Sequence, residues 1–102
     1  MKLQFRLRPT ESLLDVDPRR IRKALGGPSK TADLQIIDNR ASDATFVTML
    51  VTLAALDPQT LEDLRLALLS VPRVRAFIVD GAGNETAVGE IPSIKLGDFV
   101  TS

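Results

Sequence analysis

The chain has no cysteine, histidine, tryptophan or tyrosine among its 102 residues, and these absences narrow the chemistry open to it. Without cysteine it has no disulfide framework, thiolate metal site or cysteine nucleophile. Without histidine it lacks the commonest general base and the commonest metal ligand. We therefore expect a protein that is not an enzyme and that uses no metal or cofactor.

Long hydrophobic runs are also missing. The longest, residues 46–56, is too short to span a bilayer, and the first residues, MKLQFRLRP, lack the apolar stretch of a signal peptide. The composition, with 44% hydrophobic and 25% charged residues, is that of an ordinary globular protein. We expect one small domain with a single core, no membrane contact and a cytoplasmic location.

The chain also has no excess of either charge, but its charges are unevenly distributed. Residues 1–40 contain nine basic and five acidic residues, whereas the remainder contains four basic and eight acidic residues. This asymmetry could serve an anionic ligand, nucleic acid or head-to-tail self-association. The favoured interpretation is that the two halves interleave on folding and form an ordinary mixed surface.

The first recognisable element is a strand. Leu3, Phe5 and Leu7 alternate with polar residues up to Pro9, which is the pattern of a strand with one buried face. The following residues, 10–16, fit either a plain connection or a short helical turn opened by Thr10 or Ser12.

Two helices begin with the same dipeptide. Asp17-Pro18 and Asp57-Pro58 each combine an N-cap carboxylate with a proline that needs no hydrogen-bond partner for its nitrogen. We predict a first helix that ends at Gly26-Gly27 and a second, QTLEDLRLALLSV, that ends at Pro72. Strands are predicted after each helix, at 34–38 and 73–80.

Residues 45–56 are predicted to form a strand. Length alone would permit an apolar helix, with Phe46, Met49, Leu50 and Leu53 on one face, but the many β-branched residues favour the strand.

The two halves of residues 1–80 match at an offset of 40, because the Asp-Pro caps and the following strands coincide. Two such units predict an α+β domain with the order βαββαβ, a ferredoxin-like sandwich in which an antiparallel four-stranded sheet carries two helices on one face. Residues 81–102 are predicted to be a C-terminal extension. This extension offers one further edge strand, either folded back on the preceding strand or donated as an arm to another subunit.

Two short motifs resemble ligand-binding motifs, but their positions relative to the predicted helices argue against ligand binding. Asp15-Val-Asp17 has the spacing of a divalent-metal motif, yet Asp17 is already explained as a helix cap. GGPSKT contains a lysine and a threonine after glycines, as phosphate-binding loops do, but here the glycines close a helix instead of opening one.

The segments TMLVTLAAL, TLEDLRLALLSV and SVPRVRAFIV resemble those of ACT-like regulatory domains, including the soluble C-terminal domain of the MgtC family. The shared feature is a junction in which a helix is followed by proline, valine and a strand. The resemblance covers residues 3–80 and implies a regulatory role and pairwise association through sheet or helix. The chain departs from the family at Arg73, where glycine is common, and it lacks the glycine-rich loop with which ACT domains bind amino acids.

Two groups of residues are candidate interaction sites. Basic side chains of the first helix could make electrostatic contacts, and two leucines of the second helix lie outside its main apolar face: Arg19, Arg20, Arg22, Lys23, Leu66 and Leu69.

We therefore predict a non-enzymatic protein-interaction or regulatory module that acts through a sheet edge and helix 58–71, with a protein partner and a homo-oligomeric state. One alternative is an ACT-like domain that senses a small ligand. A second, less favoured because aromatic residues are few, is a nucleic-acid-binding protein that uses the basic helix 18–25.

Overall fold

A computed structural model describes residues 1–25, 33–38, 45–54 and 57–100. In these ranges the strands are β1 (Lys2–Pro9), β2 (Asp33–Asp38), β3 (Val47–Thr52), β4 (Val74–Val79) and β5 (Glu85–Ala87), and the α-helices are α1 (Pro18–Ala24) and α2 (Pro58–Leu69). Shorter 3₁₀ helices cover Leu13–Val16, Val88–Glu90 and Ser93–Phe99. No helix in the described ranges is both long enough and apolar enough to cross a bilayer.

The strands form one antiparallel sheet in the order β2-β3-β1-β4-β5. β1 lies in the middle, where Phe5 is opposite Met49 of β3 on one side and Ile78 of β4 on the other. The predicted α+β class is therefore confirmed, with a sheet of five strands.

The core lies on one face of this sheet because β1 alternates as predicted. Leu3, Phe5 and Leu7 are fully buried, whereas the even-numbered residues between them remain partly exposed on the opposite face. Buried side chains from both helices belong to the same core: Ile21, Leu61, Leu64 and Leu68. The helices and this face of the sheet therefore enclose a single apolar interior.

The predicted strand within residues 45–56 is confirmed, although β3 covers only Val47–Thr52. β3 is paired with both β1 and β2, and Val47, Met49 and Val51 are fully buried on the core side. It ends at Thr52, and residues 55–56 lie outside the described ranges.

Both Asp-Pro helix starts are confirmed. An oxygen of Asp17 accepts a hydrogen bond from the Arg19 backbone N–H at 2.8 Å, and Asp57 accepts from the Thr60 N–H at 3.1 Å. The first helix ends at Ala24, and the predicted stop at residues 26–27 lies outside the described ranges.

The second helix ends at Leu69, two residues before the predicted end at Val71, and Ser70 is its C-cap residue. The Ser70 N–H donates to the carbonyls of Leu66 and Ala67, and its hydroxyl donates to the Ala67 carbonyl at 2.7 Å. These bonds satisfy carbonyls that have no partner within the helix. Pro72 lies two positions after the cap residue Ser70, where a proline prevents the helix from continuing.

The segment after β1 forms a 3₁₀ helix, Leu13–Val16, which is the second of the two arrangements considered from the sequence. Ser12 opens it, since its hydroxyl accepts a hydrogen bond from the Leu14 N–H at 3.2 Å. Thr10 has a different role, because its N–H and its hydroxyl both donate to the carbonyl of Arg73.

The residues that follow β4 pack against their own chain. β5 pairs antiparallel with β4, so the edge strand is folded back on the preceding strand. Val88 and Leu96, in the 3₁₀ helices that follow, are fully buried in the common core. This part of the tail therefore packs as part of the body of the protein.

Arg73 has the unusual backbone angle φ of 58°. Residues other than glycine disfavour this left-handed conformation, because their Cβ then crowds the carbonyl oxygen. Two contacts hold Arg73 there: Thr10 bonds its carbonyl at 3.0 Å through the backbone N–H, and its own Nε donates to Asp15 at 3.1 Å. Arg73 therefore occupies a position whose backbone geometry favours glycine.

This geometry can be tested by comparing Arg73→Gly with Arg73→Ala, since both remove the contact with Asp15. We expect the alanine variant to be less stable than the glycine variant by about 1 kcal/mol, because only alanine carries the Cβ that opposes a positive φ. Urea denaturation gives the free energy of unfolding of each variant. An alanine variant as stable as the glycine variant would contradict the left-handed conformation.

Candidate functional site

A cleft of about 270 Å³ opens where the first 3₁₀ helix and α1 meet the connection between α2 and β4. We call it the basic cleft and define it by its lining residues: Asp15, Arg20, Lys23, Ala24, Val71, Pro72 and Arg73. Its walls come from parts of the chain that are far apart in sequence. The cleft therefore exists only in the folded protein.

Asp15 anchors the charged side of the basic cleft. The residue is 8% exposed, and its Oδ1 accepts a hydrogen bond from Arg73 Nε at 3.1 Å, while Arg20 Nη1 lies 3.9 Å from the same oxygen. A buried carboxylate needs such partners, because burying an unpaired charge is costly. The pairing with Arg73 also joins the two walls of the cleft.

The basic cleft has an excess of positive charge. Arg20, Lys23 and Arg73 contribute three cations, against the single carboxylate of Asp15. The outer parts of the two arginines face water, since their side chains are 64% and 53% exposed. Ala24, Val71 and Pro72 supply an apolar lining beside these cations. The arrangement can attract a small anion and accommodate an apolar group attached to it.

The four basic residues predicted from the sequence do not act as one group. Arg20 and Lys23 line the basic cleft, whereas Arg19 and Arg22 do not. Arg22 Nη2 donates to the Leu34 carbonyl of β2 at 2.9 Å, so this side chain ties α1 to the sheet. Arg19 is exposed, and its backbone N–H bonds the cap residue Asp17.

Sequence reasoning missed Asp15 and Arg73 as members of a site. The sequence presents Asp15 only as half of a possible metal motif and gives Arg73 no role in a site. No local pattern marks Arg73 as a site residue, because its positive φ of 58° becomes visible only in the folded chain. Its partner, 58 positions away, could not be read from the sequence.

The two predicted leucines form a second candidate site on α2. Leu66 is 52% exposed and Leu69 is 46% exposed, whereas Leu61, Leu64 and Leu68 of the same helix are buried. One methyl group of Leu69 lies beside Gly89, at 3.3 Å from the place where a Cβ would stand. We call Leu66 and Leu69 the leucine surface. Being three residues apart, they are neighbours on the helix.

Further arginines lie on the sheet face opposite the core, and they are engaged within the chain. Arg8 donates two hydrogen bonds to the Glu85 carboxylate, at 3.1 and 2.9 Å. The guanidinium groups of Arg6 and Arg8 lie 5.2 and 4.8 Å from the centre of the Phe46 ring, and Arg75 lies 5.3 Å from that of Phe77. Both rings on this face therefore have arginines of the same chain against them.

Within the described part of the chain, no group of three or more acidic, histidine or cysteine residues is placed to hold a metal ion. Of the Asp15-Val-Asp17 motif, one carboxylate pairs with arginines and the other caps α1. No protein-family model, curated protein or solved structure matches the chain.

The Arg8 contact lowers the pKa of Glu85 below its ordinary value, because the hydrogen bonds from Arg8 stabilise the carboxylate. The pKa of Glu85 is therefore lower in the folded than in the unfolded protein. The stabilisation of the fold is complete above the ordinary glutamate pKa of about 4.3, and it is lost as the pH falls through the pKa of the folded protein. We expect wild type to exceed Glu85→Gln in free energy of unfolding by about 0.2–1 kcal/mol near neutral pH, as for other partly exposed pairs.

The difference in free energy of unfolding between wild type and Glu85→Gln should shrink towards zero when denaturation is repeated at pH values below the pKa of Glu85 in the folded protein. In an Arg8→Gln background, Glu85→Gln should have a much smaller effect at every pH, which provides the control. A difference between wild type and Glu85→Gln that stays constant with pH would contradict the pairing.

Proposed function

We propose that this chain is a non-enzymatic protein-interaction or regulatory module of the cytoplasm that associates with a second copy of itself through the leucine surface. The observation that carries the proposal is the exposure of Leu66 and Leu69, about half of each side chain, on a helix whose other leucines are buried. Adjacent exposed leucines favour contact with another apolar surface, because burial removes them from water.

The sheet edges are less suitable than α2 for this contact. β5 is only three residues long, and short edge strands offer few free backbone groups. β2, at the other edge, already has the Arg22 side chain bonded to its Leu34 carbonyl. Of the two surfaces predicted from the sequence, the helix is therefore the better supported.

A second copy of the chain is the partner that fits the leucine surface most simply. In a two-fold dimer the same patch serves both subunits, so leucines of one copy meet leucines of the other. The formal net charge of zero adds no long-range repulsion between copies. Because two leucines are a small patch compared with stable interfaces, the association should be weak.

The fold description that goes with this proposal is ferredoxin-like. It is supported by the strand order β2-β3-β1-β4, by the position of one helix after β1 and another after β3, and by the shared core of both helices. The resemblance to ACT-like regulatory domains, which implies pairwise association, agrees with the same proposal.

Nucleic-acid binding through α1 has less support. Arg22 already donates to the Leu34 carbonyl, and the two phenylalanine rings contacted by arginines lie on the far side of the sheet. Small-ligand sensing has a separate feature in its favour, the basic cleft.

The self-association is tested with Leu66→Asp, and Leu14→Asp serves as the matched control because Leu14 is 67% exposed outside α2. We expect wild type and Leu14→Asp to show concentration-dependent association in sedimentation equilibrium, and Leu66→Asp to remain monomeric. Thermal unfolding of the dilute variants should change little, since surface substitutions usually cost within about 0.5 kcal/mol. A monomeric wild type at every concentration, or a Leu66→Asp variant that associates like wild type, would refute the proposal.

A further inference from the structure

The basic cleft is separate from the leucine surface and has its own chemistry. Neither Leu66 nor Leu69 lines it. The cleft has a volume of about 270 Å³ and a mainly apolar lining surface, and its lining residues include the anchored Asp15 and the basic Arg20, Lys23 and Arg73. This volume lies just below the range of about 300–1,000 Å³ found for drug-sized ligands. A small molecule is therefore the ligand class to consider.

The charges in the cleft indicate the charge of the ligand. Three cations and one carboxylate leave an excess of two positive charges. A carboxylate ligand would bring a single negative charge, whereas a phosphate monoester carries about −1.5 to −2 at neutral pH. The phosphate monoester therefore matches the excess more closely.

Among the described residues, the contacts of the two arginines leave N–H donors for binding such a group. A guanidinium has five N–H donors, and in the contact with Asp15 the donor from Arg73 is Nε alone. Arg20 approaches Asp15 only at 3.9 Å, which is an ion pair without a hydrogen bond. Among the residues that the structure describes, Asp15 therefore accepts one hydrogen bond from Arg73 and none from Arg20, and Lys23 also lines the cleft.

The apolar wall defines the rest of the ligand. Ala24 and Pro72 are exposed, and Val71, which is 6% exposed, lies with them in the lining of the cleft. An inorganic anion would leave this wall in contact with water, whereas a ligand with an apolar body would cover it. A ligand with a charged end and an apolar end therefore uses both parts of the cleft.

From these observations we propose that the basic cleft binds a small phosphomonoester with an apolar body, with Arg20, Lys23 and Arg73 contacting the phosphate and Val71 and Pro72 contacting the body. This site goes beyond self-association through α2. It would make the chain responsive to a phosphorylated small molecule.

The proposal is tested by following amide chemical shifts of the ¹⁵N-labelled protein during titration with phenyl phosphate, inorganic phosphate, benzoate or benzyl alcohol. The measurements are made at a salt concentration of about 0.15 M, where distant exposed charges are largely screened. We expect shifts around residues 15–24 and 71–73, and the tightest binding for phenyl phosphate, with a dissociation constant of about 1 mM or below. Equal binding of benzyl alcohol, or phenyl phosphate shifts spread over the whole surface, would overturn the proposal.

Variants then identify the residues involved. Arg20→Gln and Lys23→Gln should each weaken phenyl phosphate binding roughly tenfold, as expected for loss of one charge-assisted contact. Arg19→Gln is the matched control, because Arg19 is exposed on the same helix but does not line the cleft, and it should bind like wild type. If all three variants bind equally, the assignment is wrong.

The two sites can be tested independently. Leu66→Asp should bind phenyl phosphate as wild type does, whether or not the chain self-associates. Since Arg20 and Lys23 are exposed, their variants should keep the dispersed amide spectrum of the folded protein. A variant that kept this spectrum and still bound like wild type would contradict the proposed contacts directly.

Discussion

The position of β1 between β3 and β4 is the constraint on which the rest of the structure depends. Its alternation places Leu3, Phe5 and Leu7 in the core and its polar residues on the opposite face. Its pairing with β4 ends where Pro9 is opposite Val74, so the chain leaving β1 lies beside the chain entering β4. The basic cleft forms at this junction, because the 3₁₀ helix that follows β1 carries Asp15 to Arg73.

Much of the fold could be predicted because local signals agreed with one another. Period-two alternation identified β1, the Asp-Pro pairs located both helix starts, and β-branched composition selected a strand for β3. Element ends were harder to predict, because they depend on contacts made by single side chains. The helix α2, for example, ends at Leu69, and the Ser70 hydroxyl bonds the Ala67 carbonyl there.

The candidate site was less predictable because a sequence shows where charges are but not what they contact. The basic run of α1 was read as one electrostatic surface, yet Arg22 bonds a sheet carbonyl while Arg20 approaches a buried carboxylate. The exposure of Leu66 and Leu69, in contrast, followed from helical periodicity. The difference is that helical periodicity assigns a residue to a face of its helix, whereas a contact between distant residues, such as Asp15 and Arg73, depends on the whole fold.

Measuring the energy of the contact between Asp15 and Arg73 is therefore the most direct test of how the fold forms the basic cleft. A double-mutant cycle with Asp15→Asn and Arg73→Gln measures it as a coupling in the free energy of unfolding, and glutamine keeps the Cβ, so the backbone cost is unchanged. The structure predicts a favourable coupling of about 1 kcal/mol. Effects that simply add, within about 0.3 kcal/mol, would show that the two side chains do not meet.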